Sequence, residues 1–140
     1  MHDQNGSGLE KACRELGGAF QGILAWKWDS RFEAVLAKFA AGKQESIRGI
    51  LERSLRITWD SSNIDTAPEV VRETIRYLGG LRSGQFLFAS DPNQEVFIFC
   101  AWWPWGDGKT ISIRIGSSFT KLSDSEKAEK IQRFKKGFGI

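Results

Sequence analysis

The pattern of apolar and polar positions is most regular between residues 84 and 116, where it predicts three antiparallel strands. Two apolar segments and one segment that alternates isoleucine with polar residues are separated by Asp91-Pro92-Asn93 and by Gly106-Asp107-Gly108. Both separators are typical of tight turns. The middle strand is apolar on both faces, so we expect other elements to cover both sides of it. The predicted strands span residues 85–89, 95–103 and 109–116.

Apolar residues at helical spacing predict about five helices around this meander. Phe32, Val35, Leu36, Phe39 and Ala40, for example, form one helical stripe. Serine or threonine three residues before glutamate predicts four of the helix starts, because that pair forms a capping box. The predicted helices lie between Ser7 and Gly17, between Ser30 and Gly42, over residues 44–55, between Thr66 and Gly79, and from Ser123 to Lys136.

Two segments are ambiguous. Residues 20–28 are aromatic and partly alternating, which favours a strand, although a continued helix is the alternative. Residues 56–59 either extend the preceding helix or form a short strand. The fold class that follows is α+β: one domain over residues 1–140 with a central antiparallel sheet. This sheet contains the C-terminal meander and one N-terminal strand, and residues 1–6 form a disordered terminus.

The order of elements resembles the roadblock/longin-type modules of the profilin-like class. The resemblance lies in Leu9–Ala12 and Gly17–Ala25 at the front, and in the meander and final helix at the back. It is a likeness of pattern rather than of a diagnostic motif. It implies a central antiparallel sheet held between helices.

Composition adds three expectations. The 41% of hydrophobic residues is typical of a globular domain, and six Trp and ten Phe predict a core rich in aromatics. Cys13 and Cys100 fall at apolar positions of periodic segments, so we expect two free, buried thiols. The chain shows no secretory leader and no apolar segment of membrane-spanning length, which predicts a cytoplasmic protein without a membrane span.

Candidate catalytic residues are scarce. The single histidine is His2, in the terminus, which argues against Ser-His-Asp and Cys-His catalysis and against a zinc site. Gly106–Thr110 ends like a phosphate-binding loop, but Trp103 stands where that motif needs glycine, and a strand follows. We expect no cofactor and no metal, and we interpret this segment as a hairpin turn.

The most unusual tetrapeptide is Trp102-Trp103-Pro104-Trp105. Strand alternation buries some of these rings, whereas Pro104 ends the ladder and can turn at least one ring outward. An exposed Trp at a loop tip is typical of an interface anchor. The candidate partner-binding residues are Trp102, Trp103, Trp105, Asp107 and Lys109.

The net charge of +3 comes from an excess of basic residues in the C-terminal half. A solvated helix face paired with nearby glutamates explains many of them, and an anionic partner is the alternative. The candidate anion-binding residues are Arg114, Lys121, Lys130, Arg133 and Lys136.

Three function classes remain, and we favour the first. It is a non-enzymatic protein interaction or regulatory module that acts through the aromatic hairpin or a sheet edge, with a homodimer as one form. The second is a protein that binds nucleic acid or another polyanion through its basic C-terminal half. The third is a small enzyme whose carboxylates converge only in the folded structure.

Overall fold

The chain folds as an α+β domain with a six-stranded, fully antiparallel sheet and, in the part described, four α-helices. The computed structural model describes residues 4–94, 97–117 and 123–140, with side chains from Leu9 onward. The strands, numbered along the chain, lie in the order β1-β2-β6-β5-β4-β3. They are β1 (Lys27–Asp29), β2 (Ala34–Ala40), β3 (Ile57–Trp59), β4 (Phe86–Ala89), β5 (Ile98–Pro104) and β6 (Thr110–Ser117).

The helices connect or flank these strands, and two short 3-10 turns at Ala41–Lys43 and Ile64–Thr66 precede the second and third of them. No helix in the described ranges combines the length and apolarity needed to cross a membrane. The α-helices are α1 (Gln4–Ala19), α2 (Gln44–Ser54), α3 (Glu69–Tyr77) and α4 (Asp124–Gly137).

The predicted meander is confirmed as β4, β5 and β6. Phe88 pairs with Cys100, and Cys100 pairs with Ile115, so residues opposite one another share a face across the three strands. Ile111, Ile113 and Ile115 are all buried, as their alternation predicts. The start of the predicted middle strand falls on residues 95–96, outside the described residues.

The predicted helix between Ser30 and Gly42 is wrong, because this segment forms β2. Val35, Ala37 and Phe39 also alternate, and all three are buried on one face of the sheet. The apolar positions of this segment therefore fit the spacing of a helix as well as the alternation of a strand. Pairing with β6, from Val35 opposite Ile115 to Ala40 opposite Thr110, favours the strand.

Other N-terminal predictions also need correction. Only residues 27–28 of the predicted strand 20–28 are β-structure, at the start of β1, while residues 56–59 contain the short strand β3. The N-terminal half thus contributes three strands rather than one, and there are four α-helices where about five were predicted. The Thr66 capping box is wrong, because its hydroxyl donates to the Asn63 carbonyl and Pro68 occupies the cap position. The Ser123 capping box is confirmed.

Two hydrophobic cores lie on opposite faces of the sheet. The first joins α1, α2 and α4 to one face, where Leu16, Leu51 and Phe134 are buried against Trp102 and Ile113. The second joins α3 to the other face through buried members that come from α3, β4, β5 and the segments beside them. Because β2 and β6 contribute no member to the second core, their side of that face is left without a covering helix in the described structure.

Helices α1 and α4 approach closely at two glycines. A β-carbon on Gly17 would lie 2.6 Å from the Gly137 carbonyl oxygen, and one on Gly137 would lie 2.4 Å from the Cys13 β-carbon. Neither distance is compatible with a side chain. The absence of side chains at these positions therefore sets how deeply α4 packs against α1.

Candidate interaction surface

The three tryptophans of the hairpin have three different environments. Trp102 is only 2% exposed and lies in the first core, against Phe39 and Phe88. Trp103 is half-buried on the other face, and Trp105 is 45% exposed beyond the proline. Alternation along β5 therefore buries one ring and sends the other two toward the uncovered side of the sheet.

The hairpin that carries Trp105 is held by Asp107. One carboxylate oxygen accepts hydrogen bonds from the backbone N–H groups of Lys109 and Thr110, at 2.8 and 3.0 Å, and the other accepts from the Thr110 hydroxyl. The hydrogen bond from Lys109 leads the effects that lower the pKa of Asp107. Asp107 therefore has a structural role in the turn, while Lys109 is exposed at its tip.

Lys38 connects the hairpin to β2. Its Nζ atom lies 5.5 Å from the centroid of the Trp105 ring, within the range of a cation–π contact. In the sheet, Lys38 is opposite Ser112, and Ser112 is opposite Trp103, so these residues share one face. The contact places the exposed indole over the uncovered strands.

Arg114 is the centre of a layer of aromatic and basic side chains on this face. Its guanidinium carbon lies 4.5 Å from the centroid of Trp103 and 5.4 Å from that of Phe32. Phe32 also meets Trp103 edge to face at 5.6 Å and Tyr77 at 6.2 Å. We name Phe32, Tyr77, Trp103, Trp105, Lys38 and Arg114 the aromatic–basic patch.

Asp29 fixes Arg114 in this layer. The Arg114 Nε donates to Asp29 Oδ2 at 2.8 Å, and both side chains are largely buried, with 17% and 14% exposed. Burial alone would raise the pKa of Asp29, but hydrogen bonds from Arg114 and from the Arg31 backbone, with the charge of Arg114, lower it overall. The two charges are therefore mutually compensated at neutral pH.

Glu33 lies in the turn between β1 and β2 with a φ of 51°, a left-handed conformation that is uncommon outside glycine. It pairs with Lys127 of α4 at 2.9 Å and interacts with the Tyr77 hydroxyl. Burial, followed by the charge and hydrogen bond of Glu33, raises the pKa of Tyr77. The turn thus links Tyr77 on α3 to α4 around the edge of the sheet.

The predicted anion-binding residues are not brought together as one free surface. Arg114 is paired with Asp29, Arg133 with Glu129, and Lys136 lies 4.0 Å from Glu10. Lys130 is half-buried on α4. Lys121 lies outside the described residues.

No family model, curated protein or solved structure matches the chain. The likeness to roadblock/longin-type modules therefore stays a prediction.

The two cysteines are free and buried, as predicted. Burial, with a smaller effect of Glu10, raises the pKa of Cys13 to about 12, and burial also raises the pKa of Cys100. Both thiols are therefore held protonated and poorly nucleophilic at neutral pH. Across the described ranges, no group of three or more His, Cys, Asp or Glu side chains could hold a metal ion.

Two clefts lie away from the aromatic–basic patch. One of about 560 Å³ is bordered by α1, the α2–β3 junction and the start of β5, and Glu15 is the one carboxylate among the described residues that line it. Another of about 450 Å³ lies beside Gly17, Trp26 and Lys136, and no Asp or Glu of the described ranges lines it. Within the described part of the chain, neither cleft brings together the pair of carboxylates that glycoside hydrolysis typically uses.

Three residues of the aromatic–basic patch, Trp103, Trp105 and Arg114, are among the candidates that the sequence predicts, whereas Phe32, Lys38 and Tyr77 are not. The sequence pattern places Phe32 in a helical stripe with Val35 and Leu36 and does not predict its position in a turn. The available signal was the alternation within residues 34–40. Had that segment been assigned to a strand, Lys38 would have been placed on the face opposite Val35.

Proposed function

We propose that the protein is a non-enzymatic interaction module that binds a partner protein through the aromatic–basic patch. The observation that carries this proposal is the exposed indole of Trp105 beside the half-buried Trp103, on a face that α3 covers only in part. Aromatic and arginine side chains are enriched among the residues that dominate binding energy at interfaces. A surface of this composition is suited to association rather than to solvation alone.

The hairpin supports the proposal better than the sheet edges do. The two edge strands, β1 and β3, are three residues long each. A partner strand added to either edge would gain only a few backbone hydrogen bonds. Side chains of the patch offer the larger and more specific contact area.

Polyanion binding by the C-terminal half has weaker support. Arg114, Arg133 and Lys136 each lie within 4.0 Å of a carboxylate. A phosphate backbone would have to compete with these carboxylates for the same cations. We therefore keep this function as the alternative that binding experiments must exclude.

The test compares the Trp105→Ala and Ile23→Ala variants of the full chain. These residues are matched in exposure, at 45% and 44%, so neither truncation should reduce the free energy of unfolding much. The partner is first isolated on the immobilised wild-type protein and identified by mass spectrometry. Its Kd for each variant is then measured by isothermal titration calorimetry.

We expect Trp105→Ala to weaken binding by about 2 kcal/mol or more, which is about thirtyfold in Kd, and Ile23→Ala to leave Kd unchanged. A partner that binds Trp105→Ala as tightly as wild type would contradict the proposal. So would the recovery of nucleic acid instead of protein.

A further inference from the structure

Exposed cations border the aromatic–basic patch without carboxylate partners. Lys27, Arg31 and Lys38 are all exposed, and none of them forms an ion pair with any residue in the described ranges. Lys27 is directly opposite Leu36 across the β1–β2 pair, and Lys38 is two residues further along β2. The two lysines are therefore diagonal neighbours on one face, about 7–8 Å apart at their α-carbons.

The carboxylates beside the patch are already engaged. Asp29 is paired with Arg114, and Glu33 is paired with Lys127 at 2.9 Å. Asp107 accepts three hydrogen bonds within its own turn. The positive charge of Lys27, Arg31 and Lys38 is thus left without a local carboxylate in the described structure.

An apolar contact area lies between these cations. Leu36 is half-buried between Lys27 and Lys38, and Trp105 is exposed beside Lys38. An aliphatic side chain flanked by basic ones is complementary to an apolar side chain flanked by acidic ones. This arrangement therefore specifies the charge of the partner segment and the order of its acidic and apolar side chains.

We propose that the patch binds an acidic segment of a partner protein. Carboxylates of that segment pair with Lys27 and Lys38, and an apolar side chain between them packs on Leu36 and Trp105. This inference rests on the proposed function and adds the chemistry of the partner to it. Salt would weaken the complex, because the charged contacts are near the surface.

Two other occupants fit this surface less well. A nucleic acid would stack its bases on aromatic faces, but Trp103 is already in contact with Arg114 and Phe32, and Lys38 lies over the exposed ring of Trp105. A second copy of the chain would have to present an acidic segment with free apolar side chains. The largest apolar side chains of the helices, such as Leu51 of α2 and Phe134 of α4, are already buried in the first core.

The first experiment identifies the occupant. The photo-crosslinker p-benzoylphenylalanine replaces Leu36 in one full-length protein and Trp105 in another, and both are irradiated in the cells that naturally produce the chain. Circular dichroism confirms that both proteins are folded. We expect both positions to capture the same protein segment, with aspartate or glutamate on either side of an apolar residue.

The second experiment tests the charge contacts with a synthetic peptide copied from the captured segment. Lys27→Glu and Lys38→Glu should each weaken binding about tenfold or more, whereas Lys11→Glu, an equal charge change on α1, should not change Kd. A peptide with its acidic residues replaced by lysine should regain affinity for the Lys27→Glu, Lys38→Glu double variant. Fluorescence anisotropy at low and high salt measures each Kd.

The outcomes separate this inference from the proposed function. Capture at position 105 but not at 36, or capture of a segment without acidic residues, overturns the inference and leaves the proposed function intact. Capture of nucleic acid or of a second copy also overturns the inference, as does a peptide whose affinity is insensitive to both lysine reversals. If neither position captures a protein, both proposals fail.

Discussion

At the scale of single residues, the pairing of Arg114 with Asp29 makes the stability of the protein depend on pH. Asp29→Asn should lower the free energy of unfolding by about 1.5–3 kcal/mol at neutral pH, because a hydrogen bond between two charged groups is lost and Arg114 stays largely buried. The pKa of Asp29 is lower in the folded protein than its usual value of 3.8. The stabilisation by the Asp29–Arg114 pair is therefore complete above pH 3.8 and is lost as the pH falls through the folded-state pKa of Asp29.

Urea denaturation of both proteins between pH 7 and pH 2 measures this effect. The difference in unfolding free energy between wild type and Asp29→Asn should be constant near neutrality and shrink in acid. A difference that stays constant down to pH 2 would show that the charge of Asp29 does not stabilise the fold.

Tyr77 offers a second test, because it is the single tyrosine of the chain. Burial and the nearby Glu33 carboxylate raise its pKa above 10.0, since both disfavour the phenolate. Glu33→Gln should lower the titration midpoint toward 10.0 without reaching it, because burial remains. The contribution of the protonated Tyr77 hydroxyl to stability is present below pH 10.0 and is lost as the pH rises through the folded-state pKa of Tyr77.

The measurement is the phenolate absorbance at alkaline pH, with circular dichroism to confirm that the fold persists. Glu73→Gln, on the same helix, is the control and should leave the midpoint unchanged. An equal midpoint in wild type and Glu33→Gln would contradict the contact between Glu33 and Tyr77.

The residues of the aromatic–basic patch and their ion pairs could be predicted only in part from the sequence. Trp105 was predictable because a proline and a tight turn follow buried strand positions along the chain. The contact between Arg114 and Asp29 joins residues that are 85 positions apart. Periodicity within one segment carries no information about such a pair, because its prediction requires the pairing of β1 with β2 and of β2 with β6.

At the scale of secondary-structure elements, the crossing of α1 and α4 depends on Gly17 and Gly137. Gly17→Ala and Gly137→Ala should each lower the free energy of unfolding by about 1–3 kcal/mol, because a β-carbon overlaps the backbone or side chain of the other helix. Gly18→Ala is the matched control, since nothing lies within 4 Å of its β-carbon position. It should stabilise the protein by about 0.5–1 kcal/mol, because alanine loses less conformational freedom in a helix.

Thermal unfolding of the three variants tests this crossing. If Gly17→Ala and Gly18→Ala have the same melting temperature, α1 and α4 do not approach as closely as described.

Elements were predicted well where local patterns agreed with the tertiary structure. The meander has turn signals between its strands, α4 begins at a capping box, and α2 shows a single helical periodicity. Residues 34–40 satisfy two periodicities, and pairing with the neighbouring strands β1 and β6 distinguishes them. Local patterning fails at such a position because the deciding contacts are distant in sequence.

At the scale of the whole molecule, Phe99 joins the sheet to the second core. Its ring fills the space above Gly116, where a β-carbon would lie 2.7 Å from it, and it is 3% exposed. Phe99→Ala should lower the free energy of unfolding by about 3–5 kcal/mol, because the truncation leaves a cavity between α3 and the sheet. Urea denaturation measures the change, and an unaltered midpoint would show that α3 packs independently of β5.

The unequal lengths of the strands have a consequence for self-assembly. The inner strands of the sheet have four to eight residues, whereas the outermost strands β1 and β3 have three each. Long apolar segments such as Phe97–Trp102, which are typical of fibril-forming sequences, are therefore kept in the interior, with a neighbouring strand on each side. The short outer strands present little backbone on which another molecule could template a growing sheet. A protein rich in tryptophan and phenylalanine thus limits its tendency to form amyloid by the order in which its strands are arranged.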